Sequence, residues 1–137
     1  QPPTAYAQDK NFAGGTSLWI GPSGTKTPLH HDNTNILFCQ VVGRKEFHMV
    51  SPLETNMLQW ATRTYYNKAD LNPVDLEQFP KLAEVPIHSC ILGPGDALFI
   101  PVGWWHQVQS LDFSISLSFT NLLRPNRFDW FHPENCD

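Results

Sequence analysis

Three residues in this sequence are of the type and spacing that hold a redox metal. They are His30 and Asp32, separated by one residue, and His106 in Gly103-Trp104-Trp105-His106. Residues i and i+2 of a strand project to the same face, so His30 and Asp32 can reach one ion while a histidine from a distant strand completes the set. Two neutral imidazoles and one carboxylate on one side of a metal leave its other positions open, the arrangement of non-heme Fe(II) oxygenases. The same alternation turns His31 away from His30. His106 closes a unit of its own: the turn Gly93-Pro94-Gly95-Asp96, the apolar run Ala97-Leu98-Phe99-Ile100, the turn Pro101-Val102-Gly103, then a second run that carries the histidine. His48, His88 and His132 lack such a context and read as surface or core residues.

A metal of this kind needs a co-ligand to carry out oxidation, and Lys45 suggests which. It follows Gln40-Val41-Val42-Gly43-Arg44. A turn at Gly43 re-aims the next strand and can carry an ammonium into an apolar cavity, leaving Arg44 to face solvent. With a hydroxyl such as that of Thr27, Lys45 would grip the far carboxylate of a dicarboxylic acid. The alternative is a solvated lysine at a strand edge.

The elements that position these residues read as all-β. Twelve prolines and eight glycines punctuate short runs rich in Val, Ile, Phe and Trp, the pattern of a sandwich or barrel. Strands are expected at about 17–20, 27–32, 35–42, 45–50, 88–92, 97–100, 104–110 and 113–120. Eight strands in two facing sheets make a jelly roll, or double-stranded β-helix. Residues 52–87 differ: Leu71, Leu76, Phe79 and Leu82 are spaced helically or irregularly, which predicts a partly helical insertion between the two halves. Its aromatics Trp60, Tyr65 and Tyr66 either cover a pocket or pack the insertion onto the sheet. Residues 1–15 read as a loose arm. Residues 121–137 read as a short tail, with a short helix packing by its aromatics.

The bulk numbers suit one domain spanning the 137 residues. Nine Lys and Arg against thirteen Asp and Glu give a net charge of −4. The basic residues are scattered rather than striped, which disfavours nucleic acid as a partner. Cys39, Cys90 and Cys136 show no Cys-X-X-Cys spacing, arguing against a disulfide framework and a thiolate zinc site. No apolar stretch approaches the ~18 residues of a membrane span, and the first residues lack a signal pattern. A soluble cytoplasmic protein is expected.

Taken together, Gly24-Thr25-Lys26-Thr27-Pro28-Leu29-His30-His31-Asp32, Gln40-Val41-Val42-Gly43-Arg44-Lys45, Gly95-Asp96-Ala97-Leu98-Phe99-Ile100-Pro101 and Trp104-Trp105-His106 resemble the JmjC-domain (cupin-like) 2-oxoglutarate oxygenases. The likeness is strongest to the small protein-hydroxylase branch, which includes asparaginyl and arginyl hydroxylases. Phe79-Pro80-Lys81 and Ser89-Cys90-Ile91-Leu92 are similar to the arginyl-hydroxylase type. The resemblance covers roughly residues 17 to 121. It implies that His30, Asp32 and His106 hold Fe(II), that Lys45 and Thr27 bind the distal carboxylate of 2-oxoglutarate, and that Trp19 borders the substrate pocket. Ser118 falls where relatives carry a small polar residue near the cosubstrate. Ser114, Ser116 and Ser118 alternate with Ile115, Leu117 and Phe119, so one face of that strand suits a cavity wall or an exposed sheet face.

Two departures stand out. Several relatives carry an Asn six residues after the first His, to touch the cosubstrate; that position is Ile36, and Asn35 lies one earlier. Asn35 serves only if a bulge restores its face. Relatives also contribute a tyrosine from amino-terminal elements, for which Tyr6 is a poor substitute. The chain reads as a minimal member of the family or a portion of a longer protein.

The expected activity is hydroxylation of a C–H bond, of a protein Arg or Asn side chain, using Fe(II), 2-oxoglutarate and O2. A protein or peptide is the expected partner, and homodimerisation stays open. Two alternatives remain: a metal-dependent cupin isomerase or dioxygenase that works without 2-oxoglutarate, and a non-catalytic jelly-roll binding module.

Overall fold

The computed structural model describes residues 15–58 and 66–127. The apolar runs form eight strands: β1 Thr16–Gly21, β2 Lys26–His30, β3 Ile36–Val42, β4 Lys45–Val50, β5 Ile87–Leu92, β6 Ala97–Ile100, β7 Trp105–Ser110 and β8 Ser114–Phe119. They pair antiparallel in two four-stranded sheets, β1-β8-β3-β6 and β2-β7-β4-β5, which is the jelly roll expected. Each predicted strand is present, with its ends moved by at most two residues. The shift that matters is in β2, which stops at His30 and leaves Asp32 in the following loop.

Between the sheets lies a core of Ile36, Phe38, Phe47, Met49, Leu92, Ile100 and Val108. The Phe38 and Phe47 rings meet edge to face, 5.0 Å apart at 72°. In β8 the usual order is inverted, because Ser114, Ser116 and Ser118 are buried while Ile115, Leu117 and Phe119 are half-buried on the outer side. Buried hydroxyls are costly unless paired, and here they are paired. Ser116 Oγ donates to Gln40 Oε1 at 2.8 Å, and the Gln40 amide donates to the carbonyls of Val42 and Gly43. The Ser110 and Ser114 hydroxyls lie 3.1 Å apart. The serine face is thus an inner wall, not an exposed surface.

The insertion carries 3-10 helices at Pro52–Leu58 and Pro80–Glu84. It builds a second core on the outer side of the β2-β7-β4-β5 sheet, where Leu58, Leu71, Phe79, Leu82 and Val85 cover Leu29, Val50 and Trp105. Trp105 Nε1 donates to Thr55 Oγ1 at 3.0 Å. Polar struts brace it further: Lys26 Nζ reaches Asp70 Oδ2 at 2.6 Å, and Gln107 accepts from the Leu71 N–H and donates to Asp70 Oδ1. The expectations for the arm up to Ala13 and Gly14, for Tyr6, Trp60, Tyr65, His132 and Cys136, and for the tail beyond Arg127 fall outside the described residues. No helix among the described residues is long and apolar enough to cross a membrane.

Gly43 makes the turn between β3 and β4 with φ at +71°. A Cβ there would sit 2.1 Å from the Phe113 carbonyl oxygen. Gly43→Ala combines a left-handed backbone with a clash against main chain, and is expected to lower stability by about 2 kcal/mol or more, read as a fall in the urea midpoint.

Candidate metal centre

His30 and His106 stand directly opposite each other on the paired strands β2 and β7, and their ring centroids are 4.2 Å apart. His30 Nδ1 is 2.8 Å from the Pro28 carbonyl, and His106 Nδ1 is 3.0 Å from the Trp104 carbonyl. A carbonyl accepts, so each Nδ1 carries the proton and each Nε2 is left with a bare lone pair. Both Nε2 atoms turn to Asp32, whose Oδ2 lies 3.8 Å from that of His30 and 3.5 Å from that of His106. Two coordination bonds of about 2.1 Å span such gaps. The three donor atoms lie within 4.8 Å of one another.

Asp32 reaches this position from beyond the end of β2, held by a 2.9 Å bond from the Gly103 N–H to its carbonyl. The strand alternation expected to place it is therefore replaced by a loop pinned to the turn before β7. Burial, with the His30 imidazole adding to it, takes the pKa of His106 down to about 4, so that ring is neutral and ready to ligate. Two tautomer-fixed imidazoles and a carboxylate suit Fe(II), and the residues present fit that ion.

The donors open into a cavity of about 350 Å³ between the sheets. Phe38, Phe47, Ile36, Ile100 and Val108 form apolar walls, Thr27, Lys45 and Ser118 are polar points, and Trp19 and Tyr66 also border it. Thr27 and His30 are three residues apart, which on a regular strand would put them on opposite faces. A register shift between them, with Thr27 opposite Val108 and His30 opposite His106, accommodates one extra residue and lets both face inward. Lys45 is half-buried with its Nζ 5.3 Å from the Phe38 ring centroid, and burial pulls its pKa below the ordinary lysine range. Among the described residues it has no carboxylate partner. Trp19 Nε1 donates to Ser118 Oγ at 3.0 Å, joining two of the expected site residues on one wall.

Asn35 is placed elsewhere. Its side chain donates to the Pro125 carbonyl and to Asn126 Oδ1 and accepts from the Val102 N–H, and it does not line the cavity. The bulge needed to bring it inward is not at this point of β3, so its expected contact with the cosubstrate gives way to a structural one. His31 is buried with its ring edge-on to Trp105. His48 sits beside Glu46, and His88 packs near Trp104. Of the two readings open for Tyr66, covering a pocket is the one observed: it borders the cavity with its ring on that of His30. Nothing in the period of the insertion signals that position.

Two sheets closing on a pocket lined by a His-Asp-His group that could hold a metal define a jelly roll of the cupin kind. The family described as cupin-like domain matches residues 2–120, and the chain belongs to this cupin-like, JmjC-type family. Lysine-specific demethylase 8 of Xenopus tropicalis is 40% identical over 106 residues, which is 75% of this chain and 24% of that protein. Lysine-specific demethylase JMJ30 of Arabidopsis thaliana is 40% identical over 119 residues, 81% of this chain and 28% of that one. Jumonji C domain-containing protein 5 of Drosophila melanogaster is 38% identical over 119 residues, 85% and 30% of the two chains. The chain spans about a quarter of the length of these relatives.

Alanine at His30, Asp32 or His106 is expected to weaken Mn(II) binding, a stand-in for Fe(II), by more than about 100-fold, measured by calorimetry. Asn35→Ala should leave that affinity at the parent level but lower stability by about 1–3 kcal/mol, the cost of stranding buried polar groups.

Proposed function

We propose that this chain is the oxygenase core of an Fe(II)- and 2-oxoglutarate-dependent enzyme that hydroxylates a C–H bond of a protein side chain. One observation carries the reading: a half-buried lysine with no acidic partner among the described residues lines the same cavity as the three converging metal donors. A desolvated ammonium is costly to keep without a counter-charge. A dicarboxylate spanning from the metal donors to Lys45 supplies that charge.

His30, Asp32 and His106 hold the iron, and Lys45 with the Thr27 hydroxyl holds the distal carboxylate of 2-oxoglutarate. Register separates the two ends. Lys45 pairs with Ser110 and Phe47 with Val108, while Met49 pairs with His106, so one layer of side chains lies between the ammonium and the metal donors. When bound, iron and 2-oxoglutarate supply the oxidising power, the cosubstrate leaving as succinate and CO2 while one oxygen atom of O2 enters the substrate C–H bond. Phe38, Phe47, Ile100 and Val108 keep water from the reacting centre. Trp19 borders the substrate side, and Ser118, to which its indole N–H donates, lies near the cosubstrate.

An arginine or asparagine side chain is the substrate that the sequence resemblance favours. The two relatives named lysine-specific demethylases bring in a related outcome, since hydroxylating an N-methyl carbon releases it as formaldehyde. Peptide pools analysed for a +16 or a −14 mass change distinguish the two.

Lys45→Ala is expected to weaken 2-oxoglutarate by about 10–200-fold, as the loss of a charge-assisted bond implies, while metal affinity stays at the parent level. The check is turnover of 2-oxoglutarate to succinate at varied cosubstrate concentration. An unchanged dependence on cosubstrate concentration would remove Lys45 from the cosubstrate site, and a parent that forms no succinate would point instead to a metal cupin that uses no cosubstrate.

A further inference from the structure

The two histidines of the metal centre are not held equally. His106 lies in β7, which has β2 on one side and β4 on the other, and only 4% of it is exposed. His30 is the last residue of β2, an edge strand, and the ladder to β7 slips just before it, between Thr27 and His30. Its ring therefore has a main-chain partner on one side and a register irregularity behind it.

The insertion supplies what β2 lacks. Tyr66 bridges His30 across the free edge of β2, and the Asn67 N–H donates to the Leu29 carbonyl at 2.8 Å. Asn67 is tied back in turn, its amide donating to the Leu58 carbonyl and its Oδ1 accepting from the Ala69 N–H. From this base the Tyr66 ring stacks on the imidazole of His30, with centroids 5.5 Å apart and planes 24° from parallel. His106 is tilted against His30 at 4.2 Å and 52°. Tyr66 itself is 59% exposed at the border of the cavity.

We propose that Tyr66 is a positioning residue for the metal centre, its ring fixing the plane of the His30 imidazole so that Nε2 stays aimed at the point where Asp32 and His106 converge. The inference rests on the metal-centre reading above. The role belongs to the aromatic face, not the hydroxyl, because the contact is a near-parallel stack.

The test is Mn(II) binding to the 137-residue chain, followed by loss of the free-ion electron paramagnetic resonance signal, for the parent, Tyr66→Ala, Tyr66→Leu and Tyr66→Phe. Outer contacts to metal-binding histidines are worth about 10–100-fold in metal affinity, so Ala and Leu are expected to fall in that range while Phe matches the parent. Melting temperatures without metal are expected to agree across the set. If Ala fails to fold, Leu, which keeps apolar bulk, makes the same comparison. An Ala or Leu variant that binds Mn(II) like the parent overturns the role of Tyr66, and so does a Phe variant as weak as Ala. A parent that binds no Mn(II) overturns the metal centre itself, and this inference with it.

Discussion

The antiparallel register that sets His30 opposite His106 is the constraint from which the rest of the site follows. A slip of one residue would turn one imidazole out of the sandwich, and no loop adjustment at Asp32 could recover it. The register is secured from both sides. β7 is locked between β2 and β4, and Trp105, the residue before His106, is fully buried in the outer core under the insertion. Alternation along β7 thus drives a tryptophan into one core and a histidine into the opposite cavity. Burying the first helps to fix the second.

Within that frame the local carbonyls set the protonation of the rings. Each histidine bonds the carbonyl two residues earlier in the chain, so the tautomer is determined by a short stretch of chain that needs no distant partner. The opposite end of the cavity works through scarcity. Lys45 has hydrophobic neighbours and no acid within reach among the described residues, whereas Arg44 beside it faces solvent and pairs with Asp112 at 2.7 Å. Two adjacent cations are separated by strand alternation into a pocket group and a surface group.

Much of this was legible in the sequence, and the exceptions have physical causes. The strands were readable because Gly, Pro or short polar turns bound the apolar runs, and the inward face of β4 followed from the turn at Gly43. The convergence of His30, Asp32 and His106 was legible from residue type and spacing, although Asp32 joins the histidines from a loop and not from the strand expected. Asn35 was misplaced because the sequence does not show where a bulge falls. β2 has a register shift, beside Pro28, whereas β3 does not slip where Asn35 would have needed it. For Tyr66 the sequence left open whether it covers a pocket or packs on the sheet, because its contact with His30 depends on the path of an irregular insertion, which no periodicity encodes.

The pairing of β1 with β8 joins Thr16 to Phe119 and Gly21 to Ser114, close to the two ends of the described chain. Among the described strands, β1 is made first and β8, the one strand paired with it, is made last. Leu18 and Ile20 therefore have none of the described strands beside them in the nascent chain until β8 has been made. Topologies of this kind fold slowly and leave apolar strands open to wrong partners in the interval. The vulnerable period is set by the time needed to translate from β1 to β8.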